Sequence, residues 1–521
     1  MNHGRTSSHA KLFRRASQKL APYAAAIFAA LIISFYAIPQ AAAVPAFARK
    51  YQTSCQTCHT AFPALTPFGE AFRRNGFRFP SKQGSVDSDS QKSEMLALGQ
   101  EAYTKVFPNA VWPDQIAAAI PLGVVINAST AVNLPNSSAH AAAGNTFAWN
   151  DFAGEFALFA AGAFNDSLTY FTELDVNGDG AGIHSAYLTW NDVVGPAHLV
   201  NISLGRLMPT LTSWGLHSSY LNDTLLPSGS IGGLYNASGP SESLATMFGH
   251  PDGIEVTGVA VHRLDYSLGW VASGSATGLQ TPNSQDVYAH LGYKIGGMSL
   301  DGEAPADVNA VDALHPWGET ALTVDIFGFR GLSRVDTLTG AAGPMRQDDT
   351  IRALGTAIRG QIGSFTLTTG GILERHSAPY AGTPATPATP ATPTAPAVDA
   401  VDGTPDLGKA TTLVQYNELN YVIYPWLIPA LRAEYMRVPL DAANGRGSAN
   451  LIRVLPGVAI LFRPNIRLVV LGEIERAKGA PPSSPYSTGN WGAAGASIAA
   501  QAPGTSKTEA ERLVANLSWG F

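Results

Sequence analysis

Apolar and polar residues alternate with a period of two along most of this chain. Leu122, Val124, Ile126 and Ala128 are interleaved with Gly123, Asn127 and Ser129. Val200, Ile202 and Leu204 alternate with Asn201, Ser203 and Gly205, and Ile466, Leu468, Val470 and Ile474 face away from Arg467, Glu473 and Glu475. Such alternation predicts strands with one apolar and one polar face. Asn165-Asp166, Asn191-Asp192 and Pro464-Asn465 separate neighbouring runs and read as turns, because Asn, Asp and Pro favour turn backbone. Few segments carry a helical period.

A soluble β-sandwich would alternate in the same way, so length and the C-terminus decide. Residues 116 to 521 offer about 400 positions. At roughly 25 per strand plus turn this predicts ~16 strands, within the range of bacterial transmembrane barrels. The last strand alternates Leu513, Ala515, Leu517, Trp519 and Phe521 against Val514, Asn516, Ser518 and Gly520. A terminal Phe in that setting resembles the assembly signal of bacterial outer-membrane barrels.

The one long apolar run lies at the start. Arg5, Lys11, Arg14, Arg15 and Lys19 precede an apolar stretch from Ala21 to Ile38, and Ala41-Ala42-Ala43 supplies small residues for cleavage. Residues 1–43 read as a cleaved secretory signal. The 521 residues are 14% charged and 45% hydrophobic, and soluble domains usually have about 25% charged residues. Loss of the five leader cations takes the formal net charge from −6 to −11. An acidic surface repels nucleic acid and attracts cations.

The chain has 2 cysteines, too few for a disulfide-stapled scaffold. Both lie in Cys55-Gln56-Thr57-Cys58-His59, the C-x-x-C-H signature of c-type haem attachment. In that chemistry two thiols add across the porphyrin vinyl groups and the next residue, His59, becomes the proximal iron ligand. The competing readings are a redox disulfide, which would want a βαβ setting, and half of a zinc site, which would want further Cys or His ligands.

Residues 44–115 are expected to form a small domain around one haem c. Phe62, Leu65, Phe68, Phe72 and Phe77 are candidates to wall the porphyrin, and Arg73, Arg74 and Arg78 to pair with its propionates. Met95, in a segment that reads as a short helix, is a candidate distal ligand, with a barrel-lumen histidine as its competitor. Residues 378–405 are Pro/Ala-rich, with Thr-Pro-Ala repeats, and read as a long extracellular loop. Asp175-Val176-Asn177-Gly178-Asp179-Gly180 matches half of a calcium loop. Its twelfth position is Ala186, where a Glu belongs, so a plain hairpin turn is the better reading.

Val44-Pro45-Ala46-Phe47-Ala48-Arg49, the C-x-x-C-H motif, Phe62 through Phe72 and Asn75-Gly76-Phe77 together resemble the outer-membrane cytochrome–porin fusions. Known members of that family oxidise ferrous iron at the cell surface. The resemblance implies a mainly β protein, with a single haem held in or at the lumen of a transmembrane antiparallel β-barrel. It maps the thioethers to Cys55 and Cys58 and the proximal ligand to His59. It also implies outer-membrane lipid around the barrel, an extracellular metal ion or other redox partner, and a periplasmic c-type cytochrome. An iron(II):cytochrome oxidoreductase activity would follow. The chain departs from the iron oxidases at Lys50-Tyr51-Gln52-Thr53-Ser54, which points to a sister branch. The alternatives are a transport porin with a haem-bearing plug, and outward electron transfer to extracellular acceptors.

Overall fold

In the computed structural model the described residues are 47, 53–78, 95–98, 114–117, 122–134, 147–148, 155–164, 167–177, 180–209, 211, 219–221, 250–272, 286–304, 307, 315–340, 343–377, 409–439, 448–478 and 507–520. Helix α1 (Cys55–Cys58), strands β1 (His59–Ala61) and β2 (Ala64–Leu65) and helix α2 (Pro67–Arg74) form the N-terminal part. Strands β3 (Met95–Leu98) and β4 (Asp114–Ala117) pair antiparallel in a separate two-stranded sheet. The segment around Met95, expected as a helix, is therefore a strand: its backbone hydrogen bonds are taken by Asp114–Ala117, a pairing too distant in sequence for periodicity to reveal.

The remaining strands form one closed sheet. They are β5 (Leu122–Asn133), β6 (Phe147–Ala148), β7 (Glu155–Ala163), β8 (Leu168–Asn177), β9 (Gly180–Trp190), β10 (Asn201–Arg206), β11 (Asp252–Ala260), β12 (Leu264–Ala272), β13 (Asp286–Gly296), β14 (Glu319–Gly340), β15 (Gly343–Gly363), β16 (Phe365–His376), β17 (Ala410–Tyr421), β18 (Leu427–Pro439), β19 (Ser448–Arg463), β20 (Ile466–Lys478) and β21 (Lys507–Gly520). Consecutive strands are antiparallel, and β6 is a two-residue piece beside the direct β5–β7 pairing, so sixteen strands carry the wall. The fold class expected from the alternation is the fold observed.

The wall is inverted relative to a soluble protein. On β13 the inward residues Asp286, Tyr288, His290 and Lys294 are buried, while Val287, Leu291, Tyr293 and Ile295 point outward and are exposed. On β12 Leu268 and Trp270 keep 57% and 58% of their surface, while Asp265 and Ser267 keep 4% and 2%. An apolar exterior around a polar lumen suits a barrel whose outer solvent is lipid. No helix among the described residues is long and apolar enough to cross a membrane, which does not bear on a barrel.

Connections differ between the two ends. One end has short turns at Val261–Arg263, Ser364 and Pro464-Asn465, with longer connections at Asn191–Val200 and 297–318, while the opposite end has tight β8–β9 and β14–β15 turns and carries the longest connections, between β10 and β11 and between β16 and β17, the latter containing the Pro/Ala-rich residues 378–405. Those residues lie outside the described part, as do Phe521 and Asn165-Asp166. The Asp175 motif falls in the β8–β9 hairpin, with Asn177 directly opposite Gly180, in keeping with the turn reading.

Ring closure depends on β21, which pairs with β20 from Ile466↔Trp519 onward and with β5 through Val125↔Gly520. Removing Leu513–Phe521 would leave two open edges in lipid, where each unsatisfied backbone group costs several kcal/mol. The truncated protein is expected to lose the difference in gel migration between unboiled and boiled samples that the full-length barrel shows. Retention of that difference would mean that the ring closes without this strand.

Candidate functional site

The local structure around Cys55-Gln56-Thr57-Cys58-His59 is built from its own sequence. Ser54 caps α1, its hydroxyl accepting from the Gln56 amide, and the hydroxyls of Thr53 and Thr57 meet at 2.6 Å. The chain then turns back through β1 and β2. Thr66 donates its amide to the Cys58 carbonyl at 3.0 Å and its hydroxyl to the Thr57 carbonyl at 2.7 Å. The same hydroxyl accepts from the Gly69 amide at 3.1 Å, so Thr66 is at once the N-cap of α2 and the clamp on α1. A Cβ at Gly69 would run into the Cys58 carbonyl, so only glycine lets α2 approach this closely.

Neither cysteine is in a disulfide. Burial raises both thiols, and the neighbouring Cys55 charge helps push Cys58 up to about 12. Reactive thiols of redox motifs are shifted the other way, so the environment disfavours a thiol–disulfide centre. Among the described residues no metal-compatible group of three includes Cys55, Cys58 or His59. Burial lowers His59 to about 4, with the nearby backbone of Pro63 and Ala64 opposing and Arg467 adding to the shift. His59 is therefore a neutral imidazole, the form that ligates iron. Its Nδ1 is buried with no hydrogen-bond partner. Two free thiols one helical turn apart, followed directly by a buried imidazole, fit covalent haem attachment.

The helix after the motif is held inside the ring. Glu70 of α2 is in contact with Arg359 on β15 and lies 3.2 Å from Arg74, which reaches Asp265 on β12 at 3.3 Å. Burial alone would raise Glu70, but Arg359, Arg74 and Lys294 hold its carboxyl well below the usual carboxylate range. Asn75 donates to the Asp301 carbonyl at 2.9 Å and Arg78 pairs with Asp192 at 3.0 Å. Gly76, at φ 67°, ends the helix against the Asn191 side chain. Phe77 stacks on Phe171 of β8 at 5.4 Å. Ala61 and Ala64 pack with Tyr220, Val422, Ile428, Leu455 and Val469. These partners come from β8, β12, β15 and β18–β20, spread around the ring, so residues 53–78 sit as a plug within it. Asp192, Asp301, Arg359 and Val422 all lie at the short-turn end.

The structure brings Cys55, Cys58 and His59 together on α1 and β1. It separates the aromatic residues into two groups. Phe62 lies by His59 at 5.2 Å, whereas Phe72 and Phe77 pack with Phe47 and the wall. Arg74 and Arg78 reach the carboxylates of Asp265 and Asp192, 191 and 114 residues away in sequence. The backbone of Met95 is in β3 and its side chain lies outside the described part. Arg359, Asp265 and Tyr220 were not foreseeable as plug contacts, because in the sequence they are ordinary residues of alternating strands or of a loop.

Beyond the plug the lumen is charged. Arg432 donates to Glu418 at 2.8 Å, Arg453 pairs with Glu434 at 2.5 Å, and Arg512 pairs with Glu473, all from β17–β21. Glu418 also receives the Ser219 hydroxyl and the Tyr220 amide, so part of the long β10–β11 connection folds into the ring. Two histidine–carboxylate groups complete the wall: Asp265, His290 and Asp325, and Glu173, Asp175 and His184.

No family model and no curated protein matches the chain. Among solved structures it is similar to OmpF of Salmonella typhi in complex with daunomycin, at 12% identity and a TM-score of 0.44, over 78% of this chain and 98% of that one. It is also similar to the anion-selective porin of Comamonas acidovorans, at 12% identity and a TM-score of 0.45, over 77% and 98%. A third is OmpT of Vibrio cholerae, at 12% identity and a TM-score of 0.40, over 77% and 97%. At these values the likeness does not say what this chain carries or passes.

Proposed function

We propose that this protein is an outer-membrane barrel that holds one haem c in its lumenal plug and passes electrons between an extracellular partner and a periplasmic c-type cytochrome. The observation that carries the reading is the lodging of a C-x-x-C-H unit inside a closed barrel with an apolar exterior. When bound, the haem supplies one-electron chemistry at an iron whose axial ligands tune its potential.

The chain's own residues do the rest. Cys55 and Cys58 would hold the group covalently, and His59, neutral by burial, would offer a nitrogen to its iron. Thr66 and Gly69 fix α1 against α2, and Glu70, Arg74, Asn75 and Arg78 fix α2 to the wall. Short turns face the periplasm and long loops the outside in bacterial barrels, which puts the plug at the periplasmic mouth. A periplasmic cytochrome docks there, and an external donor enters past the long connections. Fe(II) is the expected donor, as the cytochrome–porin resemblance implies, and the acidic mature chain draws cations toward it.

The test is reduction of the detergent-solubilised protein by Fe(II), followed at the haem absorption bands. Liposomes bearing the protein are then expected to pass electrons from external Fe(II) to an enclosed cytochrome. No reduction by Fe(II) would remove that donor, and no transfer across the liposome would remove the conduit. The charged lumen of β17–β21 favours one second reading, a solute porin with a haem-bearing plug. It predicts sugar leakage without electron transfer in the same liposomes.

A further inference from the structure

Alternate residues of a strand share a face, so Thr169, Phe171, Glu173 and Asp175 form one inward row on β8. Phe171 carries the plug's Phe77. Glu173 and Asp175 lie further along the row, about 7 and 13 Å from Phe171 at about 3.3 Å per residue. They lead toward the β8–β9 turn, away from the end where Arg78 meets Asp192. Across the hairpin the register shifts: Glu173 pairs with Ser185 and Leu174 with Ile183, which makes His184 the extra residue of a bulge. Bulges re-aim side chains, and this one brings His184 Nδ1 to 3.0 Å from Asp175 Oδ2 and 3.6 Å from Glu173 Oε1.

One ligand atom from each of the three residues lies within 4.8 Å of the others. Asp175 Oδ1 is buried with no hydrogen-bond partner. The His250 ring stands 3.8 Å from that of His184, with its Nδ1 bonded to the Ser185 hydroxyl at 2.6 Å. A protonated His184 would still leave one negative charge in excess. The second wall group has the same composition but a different balance: at Asp265 the cation is already present as Arg74. At Glu173 and Asp175 the basic partner is the His184 imidazole itself, a group that can give its nitrogen to a metal ion in place of a proton.

We propose that Glu173, Asp175 and His184 bind one first-row divalent transition-metal ion in the lumen, on the loop side of the plug. Two carboxylates alone would suit Ca(II) or Mg(II), and the imidazole shifts the preference to Fe(II), Zn(II) and their neighbours. An ion entering from the long-loop end would meet this site before the plug. The site stands on β8 and β9 alone and holds whether or not the plug carries a haem, so its failure and that of the electron-transfer reading are separable.

The test is calorimetric titration of the full mature chain, folded in detergent and stripped with chelator, using Zn(II) and separately Ca(II). One equivalent of Zn(II) is expected, held more tightly than Ca(II). Asp175→Asn and His184→Gln are each expected to weaken Zn(II) by about tenfold or more, since even indirect partners of metal ligands cost that much. His290→Gln, in the second group, is expected to leave it unchanged. Heat-dependent gel migration checks that each variant is folded. His184 is partly exposed, so its Gln variant decides the matter if Asp175→Asn does not fold. Equal Zn(II) binding by wild type and folded His184→Gln, or Ca(II) binding at least as tight as Zn(II), overturns the proposal.

Discussion

The mature protein with Cys55→Ala and Cys58→Ala is expected to lose peroxidase staining on a denaturing gel completely, whereas the unaltered protein stains and is heavier by the mass of one haem. The effect is all or none because a thioether survives denaturation and an axial bond does not. The geometry supports this outcome over its rivals. The two thiols are unpaired and raised by burial, opposite to a redox pair. His59→Ala is expected to keep the stain but alter the spectrum, because it removes the proximal nitrogen and leaves both attachment points. If both cysteines of the exported protein react with iodoacetamide after unfolding, no haem is attached and the reading fails.

How much of this was legible in the sequence depends on the range of the interaction concerned. Alternation is local, so Leu122–Asn133, Asn201–Arg206 and Ile466–Lys478 could be read as strands, and their number followed from chain length. The C-x-x-C-H chemistry is local too. Met95–Leu98 misled because four apolar-leaning residues fit either period, and only the partner strand Asp114–Ala117 decides between them. The wall partners of the arginines are hidden for an electrostatic reason. Arg74 and Arg78 have no nearby acid in sequence to take them, apart from Glu70 one helical turn back from Arg74. The barrel supplies Asp265 from β12 and Asp192 from the β9–β10 turn. The histidine–carboxylate group at Glu173, Asp175 and His184 was half visible as a calcium-loop fragment. What a sequence could not show is that one bulged residue turns His184 onto the same face as Asp175.

Unseating the plug should open the barrel. Glu70 is the hinge of that seat, because it meets Arg359 of the wall and Arg74 of its own helix, and Arg74 continues to Asp265. Replacing Glu70 with Ala leaves two guanidiniums facing each other with one carboxylate fewer. Removing one partner of a buried pair costs about 3–5 kcal/mol; Glu70 and its two arginines are partly exposed, so a loss toward the low end, roughly a hundredfold in the seated population, is expected. Glu70→Ala is therefore expected to admit sugars into liposomes that exclude them with the unaltered protein, and deletion of residues 44–78 to do so fully. The pH dependence has a definite sign. Glu70 is depressed in the folded state, so its contribution is complete above the ordinary carboxylate value of 4.5 and is lost only as pH falls through the depressed value. The seat should then hold at pH 5, and acidification to that point should not raise sugar entry. If Glu70→Ala stays sealed while deletion of residues 44–78 leaks, the apolar contacts of Ala61 and Ala64 with Tyr220 and Val469 carry the seat instead. If neither leaks, the seal is made elsewhere, and among the described residues the Ser219–Leu221 stretch, bound to Glu418 and Arg432 of the wall, is the candidate to test next.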